Sequence, residues 1–304
     1  MQEKSKQKIL VIVGYTATGK SSLAIKLAKK FNGEIISADS RQVYKGLNIG
    51  TGKVSKKEMS GVPHHLLDVA NPKSRFNVVK YQDLASKKIQ EILQRKHLPI
   101  ICGGTGFYIS AVVYGITLPD VLPNAKLRAD LAKKTPDALF KILLKLDPVR
   151  AENVDRKNLR RVIRAIEIAT ALGKVPNLQQ TTDNSQQYEP LLIGLTLPPN
   201  ELKDKIKTRL LSRIEDGMID EAEQLHKKGL SWKRMEELGL EYRYLAFLLQ
   251  NKISKSEMVS RLQTEIWHYA KRQMTWFKRD NRIKWFNPSE FSKIIKEAGQ
   301  FLRN

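Results

Sequence analysis

Eight residues near the amino terminus have the spacing of a phosphate-binding loop. Gly14 to Ser21 matches G-x-x-x-x-G-K-[ST] at every fixed position. Its glycines let successive backbone N–H groups face one anion, and the helix that follows adds its dipole. The lysine supplies a positive charge, and the serine hydroxyl is a ligand for Mg²⁺. The sequence therefore predicts a phosphate or pyrophosphate site, with Mg²⁺ on Ser21, formed by Gly14, Tyr15, Thr16, Ala17, Thr18, Gly19, Lys20 and Ser21.

Two further polar side chains follow apolar segments. Nucleoside triphosphate hydrolases usually carry an aspartate after a second apolar strand, where it holds Mg²⁺. Here Leu98 to Cys102 runs instead into the turn Gly103 to Gly106, and the carboxylate that ends a strand-like segment is Asp39. Loops at the carboxyl ends of parallel strands line the ligand crevice, so Asp39 and Thr105 are predicted to face the phosphate loop. The alternatives are a loop-bracing carboxylate and a turn hydroxyl.

A parallel sheet is needed to position these residues. Ile9 to Val13 is a continuous aliphatic and β-branched run, typical of a strand buried on both faces. Helical spacing follows the loop and recurs over 78–94. Strand–loop–helix units in this order predict an α/β fold, with a P-loop parallel sheet core flanked by helices.

The pattern changes around residue 118. Prolines then punctuate helical segments, and no clear strand follows until 191–197. We predict an inserted all-helical domain over 119–190, with residues 179–187 as its exit linker, and a core formed by 1–118 and 191–304. Beyond residue 197 the spacing predicts helices over 201–228, 233–250 and 254–279, a strand over 283–286 and a last helix.

Composition limits the class of protein. Lys and Arg number 54 against 31 Asp and Glu, a net charge of +23 that favours a polyanionic partner such as nucleic acid. A 41% apolar content argues against a disordered scaffold, and the single cysteine, Cys102, excludes a disulfide framework and a Cys-based zinc site. The short charged amino-terminal segment and the lack of long apolar runs predict a soluble, cytoplasmic protein with no membrane span.

Two basic segments are candidates for contact with nucleic acid. Residues 156–164 hold five cations in nine positions, and helical spacing places Arg160, Arg161 and Arg164 opposite an apolar stripe. For one helix alone, a solvated charged face is the alternative. The second segment, residues 268–279, interleaves Arg272 and Arg279 with aromatic residues, which suits phosphate contacts and stacking on unpaired bases.

A third pair of cations lies in the predicted helix over 201–228. Arg209 and Arg213 are four residues apart and face the same way. One of them is a candidate second clamp on a pyrophosphate.

Taken in order, these segments resemble the tRNA dimethylallyltransferases, also called tRNA isopentenyltransferases, over nearly the whole chain. Each segment is modest evidence, and the ordered set with its spacing is specific. The segments are Gly14–Ser21, Ser37–Thr51, Gly103–Tyr108, Asn158–Ala165, Arg209 with Gly217–Glu221, Leu238–Arg243 and Tyr269–Phe277.

The resemblance implies transfer of a dimethylallyl group from dimethylallyl pyrophosphate to N6 of the adenosine 3′ of the anticodon, in tRNAs that read codons beginning with U. The phosphate loop would then hold the pyrophosphate of the donor, which explains the missing strand-end carboxylate. Asp39 would be the general base, Thr105 the hydroxyl at the bridging oxygen and Arg209 a pyrophosphate ligand. The tRNA contacts implied are Asp39, Ser40, Arg41, Gln42, Arg128, Arg160, Arg161, Val162, Ile163 and Arg164, to which helical spacing adds Arg272 and Arg279.

The chain departs from the family pattern at a few positions. Tyr15 and Thr18 replace the usual Pro and Ser of the loop, where the backbone makes the cradle, and Glu241 is unusual before the Tyr-Arg pair. A single cysteine leaves no zinc finger of the eukaryotic type, so we expect a bacterial-type enzyme. We also expect a monomer. Three alternatives stay open: a P-loop small-molecule kinase, prenyl transfer to free adenine nucleotides, and a non-catalytic RNA-binding protein.

Overall fold

The computed structural model describes residues 6–176 and 188–303. The chain divides into two compact units, which we call the core (residues 1–115 and 185–304) and the insert (residues 116–184). The predicted insertion covered 119–190, but Tyr188 already belongs to a strand of the core. The exit linker predicted over 179–187 lies outside the described residues.

The strands of the core form one parallel sheet, in the order β3-β2-β4-β1-β5-β6. Their bounds are β1 (Gln7–Gly14), β2 (Gly33–Ser37), β3 (His64–His65), β4 (Leu98–Cys102), β5 (Tyr188–Leu195) and β6 (Lys284–Phe286). Ile9 to Val13 of the central β1 have no exposed surface, because neighbouring strands flank them and helices cover the sheet. The predicted fold class, a parallel sheet flanked by helices, is confirmed.

Helices in the described ranges account for most of the remaining chain. They are α1 (Lys20–Lys30), α2 (Lys56–Met59), α3 (Val78–Gln94), α4 (Gly106–Val113), α5 (Ala125–Ala132), α6 (Pro136–Leu146), α7 (Pro148–Asn153), α8 (Leu159–Leu172), α9 (Pro199–Glu215), α10 (Met218–Lys227), α11 (Trp232–Leu238), α12 (Leu240–Leu249), α13 (Lys255–Phe277) and α14 (Phe291–Arg303). None of these described helices is long and apolar enough to cross a membrane.

Two helices predicted as continuous are broken in the structure. The predicted helix over 201–228 is α9 and α10, and the one over 233–250 is α11 and α12. Gly217 and Gly239 lie at the breaks with φ of 94° and 76°, a left-handed conformation that a helix interior does not contain. The predicted helix over 254–279 ends at Phe277, so Arg279 lies beyond it and not on its basic face.

A buried carboxylate stabilises the amino-terminal end of β2. Glu34 is 3% exposed and accepts hydrogen bonds from Arg95 at 2.8 Å, His65 at 2.6 Å and His97 at 2.7 Å. Burial alone would raise the pKa of Glu34, but hydrogen bonds from the arginine and the two histidines hold it at about 2. The carboxylate therefore joins β2 to β3 and to the turn before β4.

The insert has its own apolar core and its own buried carboxylate. Leu139 and Leu143 of α6 pack against Val162 and Ile166 of α8, and all four are buried. Glu167, also buried, faces cations of α5 and α8. The insert is thus a packed helical unit with a charged centre.

Candidate active site

The phosphate loop connects β1 to α1 as the sequence predicts. Thr18 donates its hydroxyl hydrogen to the carbonyl of Tyr15 at 2.8 Å, and the Lys20 ammonium donates to the same carbonyl at 2.5 Å. Ala17 and Gly19 have φ of 63° and 83°, which turns the chain around the cradle before α1 begins. The loop therefore presents backbone N–H groups, a helix amino terminus and one ammonium to a single point.

Burial changes the acid–base behaviour of Lys20. Loss of water around the ammonium lowers the pKa of Lys20 to about 8, with a smaller contribution in the same direction from Arg209. A bound polyanion would reverse that effect, since an opposite charge stabilises the ammonium. Lys20 is thus tuned to an anionic ligand.

A cavity of about 640 Å³ opens over the loop, entirely within the core. Its wall combines the loop with side chains that arrive from distant parts of the chain. Among the lining residues are Thr16, Lys20, Ser21, Asp39, Gln42, Gly52, Glu58, Gly104, Arg209, Tyr269 and Gln273. The cavity is large enough for a pyrophosphate with a short attached chain.

Asp39 follows β2 and lines this cavity. Its Oδ1 accepts the backbone N–H of Arg41 at 2.8 Å and that of Gln42 at 3.3 Å. Both bonds fall on Oδ1, so Oδ2 is available for a group in the cavity. Asp39 therefore braces its own loop, which was the alternative, and also lies beside the phosphate loop, which was the predicted position.

Thr105 lies at the neighbouring strand end. Its Oγ1 accepts the backbone N–H of Ser40 at 3.0 Å, and its side chain lies near the phenol of Tyr269. Gly103 makes this proximity possible, because a Cβ there would lie 2.2 Å from the carbonyl oxygen of Ala38. The structure thus brings Asp39 and Thr105 together at the edge of the sheet.

Arg209 of α9 reaches the same cavity from the other side. It is partly buried, and burial, followed by repulsion from Arg213, lowers the pKa of Arg209 to about 10. Arg213 lies 3.4 Å from Glu241, whose pKa burial raises. Arg209 is therefore placed to meet an anion in the cavity, as predicted, while Arg213 is paired with Glu241.

One residue in this region was predicted only as part of a longer motif. Both carboxylate oxygens of Glu221 are used: it accepts backbone N–H groups of Asn48, Ile49 and Gly50 at 2.8 to 3.1 Å, and the Tyr242 hydroxyl at 2.7 Å. This holds the loop that leads into the cavity wall at Gly52. Contacts over more than 170 residues leave no local sequence signal.

The predicted tRNA contacts of the insert divide into two groups. Arg160 and Arg161 are exposed, as an RNA face requires. Arg128 and Arg164 instead bind the buried carboxylate of Glu167, Arg128 at 2.7 Å, and Arg164 also donates to the carbonyl of Val121 at 2.8 Å. These two arginines therefore stabilise the insert through their contacts with Glu167.

The apolar pair in that segment is part of the packing. Val162 is 1% exposed, and Ile163 packs against the apolar core of the insert. Their side chains therefore belong to the packed stripe of α8 rather than to its basic face.

The predicted tRNA contacts of the core show the same division. Arg272 is exposed and lies 5.9 Å from the centre of the Tyr269 ring. Arg279 is exposed but follows the end of α13. Gln42 donates to the carbonyl of Gly52 at 3.2 Å, and therefore braces the cavity wall. Ser40 and Arg41, both partly buried, lie between Asp39 and Gln42.

The site combines a P-loop at the end of a parallel strand, a carboxylate and a hydroxyl on the adjacent strand ends, and an arginine opposite them. These features define an α/β protein that binds a phosphorylated substrate for group transfer. The family follows from comparison of the sequence: a family model described as IPP transferase matches residues 42–280. The chain belongs to the IPP transferase family, and the resemblance identified from its sequence is confirmed.

Relatives of known structure or name agree. The chain is 46% identical over 276 residues to a protein of Treponema denticola named tRNA dimethylallyltransferase 2, covering 90% of this chain and 92% of that protein. A tRNA isopentenylpyrophosphate transferase structure from Bacillus halodurans superposes with a TM-score of 0.73 at 37% identity, covering 98% and 96% of the two chains. A eukaryotic dimethylallyltransferase described as acting on tRNA gives a TM-score of 0.78 at 27% identity, covering 97% and 77%.

Proposed function

We propose that this protein transfers the dimethylallyl group of dimethylallyl pyrophosphate to N6 of the adenosine 3′-adjacent to the anticodon in tRNAs reading codons that begin with U. The N6 amine attacks C1 of the dimethylallyl group, the C1–O bond breaks, and pyrophosphate leaves with the bonding electrons. One observation carries the proposal: the phosphate loop, Asp39 and Arg209 line one cavity in a member of this family.

The phosphate loop would bind the pyrophosphate and stabilise it as the leaving group. An exocyclic adenine amine is a weak nucleophile because its lone pair is delocalised into the ring, so the allylic carbon must carry much of the positive charge at the transition state. Negative charge then accumulates on the leaving oxygens. Lys20, Arg209 and the loop N–H groups would stabilise it from fixed positions.

Asp39 would accept the proton that the adenine amine loses. Oδ1 is held by two backbone N–H groups and the side chain lines the cavity, so Oδ2 is the oxygen that would accept the proton. A general base placed in this way contributes about 10²- to 10⁴-fold to the rate. Thr105, one strand over, would assist at the bridging oxygen.

Mg²⁺ is the proposed cofactor. Mg²⁺ keeps several waters and binds through substrate phosphates plus one or two side chains. The Ser21 hydroxyl, which lines the cavity beside Lys20, is a donor of this kind. Ser21 would hold it, and it would neutralise charge on the pyrophosphate.

The tRNA is the proposed second substrate. The target base must leave the anticodon stack, at a cost of a few kcal/mol that phosphate contacts and stacking on protein would offset. Arg160, Arg161 and Arg272 are exposed cations suited to the phosphates. We further propose that the protein acts in the cytoplasm as a monomer.

One assay separates this proposal from its alternatives. The protein is incubated with labelled dimethylallyl pyrophosphate and Mg²⁺, and the acceptor is tRNA lacking the modification, AMP, or none. Label on tRNA alone supports the proposal. Label on AMP would favour transfer to free nucleotides. In a parallel incubation with ATP in place of the donor, consumption of ATP would favour a kinase.

The role of Asp39 is tested by Asp39→Asn, because the amide oxygen still accepts the two backbone N–H groups while losing basicity. We expect the single-turnover rate to fall by about 10²-fold or more with tRNA affinity within a few-fold of wild type. Asp83→Asn, an exposed carboxylate on α3, is the control. Equal single-turnover rates for Asp39→Asn and wild type would refute the assignment.

A further inference from the structure

One buried glutamine connects the phosphate loop to the turn that carries Thr105. Gln273 lies on α13 and is 5% exposed. Its Oε1 accepts the backbone N–H of Thr16 at 2.8 Å, and its Nε2 donates to the carbonyl of Gly104 at 2.9 Å. These partners are 257 and 169 residues away along the chain. A single side chain thus joins the ends of β1 and β4 above the sheet.

The orientation of the amide is fixed by its partners. A backbone N–H can only donate and a carbonyl can only accept, so Oε1 must face Thr16 and Nε2 must face Gly104. The bond to Gly104 is buried and the bond to Thr16 is partly buried, so both are shielded from water and costly to lose. Gln273 therefore holds the first part of the phosphate loop at one distance from the Gly-rich turn.

The fit leaves no room for adjustment at Gly104. A Cβ at that position would lie 2.2 Å from Nε2 of Gln273. One helical turn earlier, Tyr269 lies near the side chain of Thr105 and lines the same cavity. The same face of α13 therefore lies against both the Gly-rich turn and the phosphate loop.

We infer that Gln273 is a positioning residue for group transfer, which sets the phosphate loop against the Thr105 turn so that the leaving pyrophosphate and the Thr105 hydroxyl stay aligned. This inference rests on the proposed function. Gln273 acts through the backbone of Thr16 and Gly104 and does not need to touch the substrate. Its loss should weaken binding of pyrophosphate and slow transfer, while binding of tRNA on the exposed basic faces should persist.

The first test is Gln273→Met, which keeps the volume and removes both hydrogen bonds. Loss of one or two such bonds predicts affinity for inorganic pyrophosphate with Mg²⁺ lowered by about tenfold to a hundredfold. Affinity for an unmodified anticodon stem-loop should stay within about threefold, since the phosphate contacts that dominate it lie elsewhere. Gln263→Met, a partly buried glutamine on the same helix, is the matched control and should resemble wild type.

The second test, Gln273→Glu, keeps the inference falsifiable if the methionine variant is poorly folded. An ionised carboxylate still accepts from Thr16 but presents an oxygen to the carbonyl oxygen of Gly104. A protonated carboxyl regains the donor. The transfer rate of Gln273→Glu, divided by the wild-type rate at each pH, should therefore rise as pH falls from 8 to about 5. A residue that only fills space would give a flat ratio.

The outcomes separate the inference from the proposed function. Unchanged pyrophosphate affinity and transfer rate in a folded Gln273→Met, or a flat ratio for Gln273→Glu, would overturn the role of Gln273. If wild-type protein transferred no label to tRNA, the proposed function would fail, and the pyrophosphate titration of the variants would still decide whether Gln273 shapes the loop.

Discussion

Binding of the donor should weaken as pH rises, because the Lys20 ammonium loses its proton. Burial lowers the pKa of Lys20 to about 8, and a neutral amine offers no charge to the pyrophosphate. Because the charged ammonium is the form that binds pyrophosphate, affinity for the donor should be highest below pH 7. It should fall as pH rises through 8. For one group with this pKa, the dissociation constant should rise about twofold at pH 8 and about tenfold at pH 9 relative to pH 7.

Two further groups that line the cavity, Arg209 and Cys102, titrate outside this range. The pKa of Arg209, lowered by burial and by Arg213, is about 10, and that of Cys102, raised by burial, is about 12. A terminal phosphate ester completes its ionisation near a pKa of about 6. Between pH 7 and pH 9, Lys20 should therefore dominate the dependence.

The assay is titration calorimetry with dimethylallyl pyrophosphate and Mg²⁺ at pH 7, 8 and 9. Lys20→Arg should bind more weakly at pH 7, because the guanidinium does not reproduce the ammonium geometry, but its affinity should vary little with pH. Lys29→Gln, an exposed residue at the cavity edge, should keep the wild-type dependence. A wild-type dissociation constant that stays constant to pH 9 would refute the reasoning.

Three further results are expected. Glu34→Gln should lower the free energy of unfolding by about 3 kcal/mol at neutral pH, since the pKa of Glu34 lies at about 2 instead of 4.5. The difference between variant and wild type should shrink as pH falls below about 4.5. Urea titrations followed by the fluorescence of the four tryptophans, all of which lie in the core, would measure it. An equal difference at pH 7 and pH 3 would contradict it. Charge reversal at the exposed Arg160 and Arg161 should raise mainly the KM for tRNA in steady-state kinetics; a change confined to the donor KM would count against an RNA face. Gly103→Ala should separate β2 from β4 at Ala38 and reduce transfer at least tenfold, which a labelled-donor assay would detect.

The elements that the sequence predicts well are those with a local signal. The aliphatic run of β1, the phosphate loop and the amphipathic spacing of α3 each specify their structure over a few residues, and α3 matches the predicted 78–94 at both ends. The two-residue β3 has no apolar alternation and was not predicted.

The predicted helices that failed did so at glycines. An amphipathic pattern continues across Gly217 and Gly239, so spacing alone gives one helix where the backbone turns. Only the left-handed conformation of these residues distinguishes a break from a tolerated glycine.

The bracing of the site could not be predicted at all. Gln273 and Glu221 appeared only as members of longer motifs, because their hydrogen-bond partners are far away in the chain. Arg128 and Arg164 illustrate the same gap: a cation in a basic segment can be turned inward by one buried carboxylate, and Glu167 gives no sign of this in the sequence.

The hydrogen bond between Thr16 and Gln273 also determines when, during translation, the site can form. The ribosome makes these two residues 257 positions apart, which at ordinary elongation rates corresponds to roughly 13 to 51 s. A nascent chain could assemble β1, β2 and β4 in that interval, yet its anion cradle would stay unbraced until α13 emerged. Competence to act on RNA would therefore require α13, and translation products truncated before Gln273 would be inert.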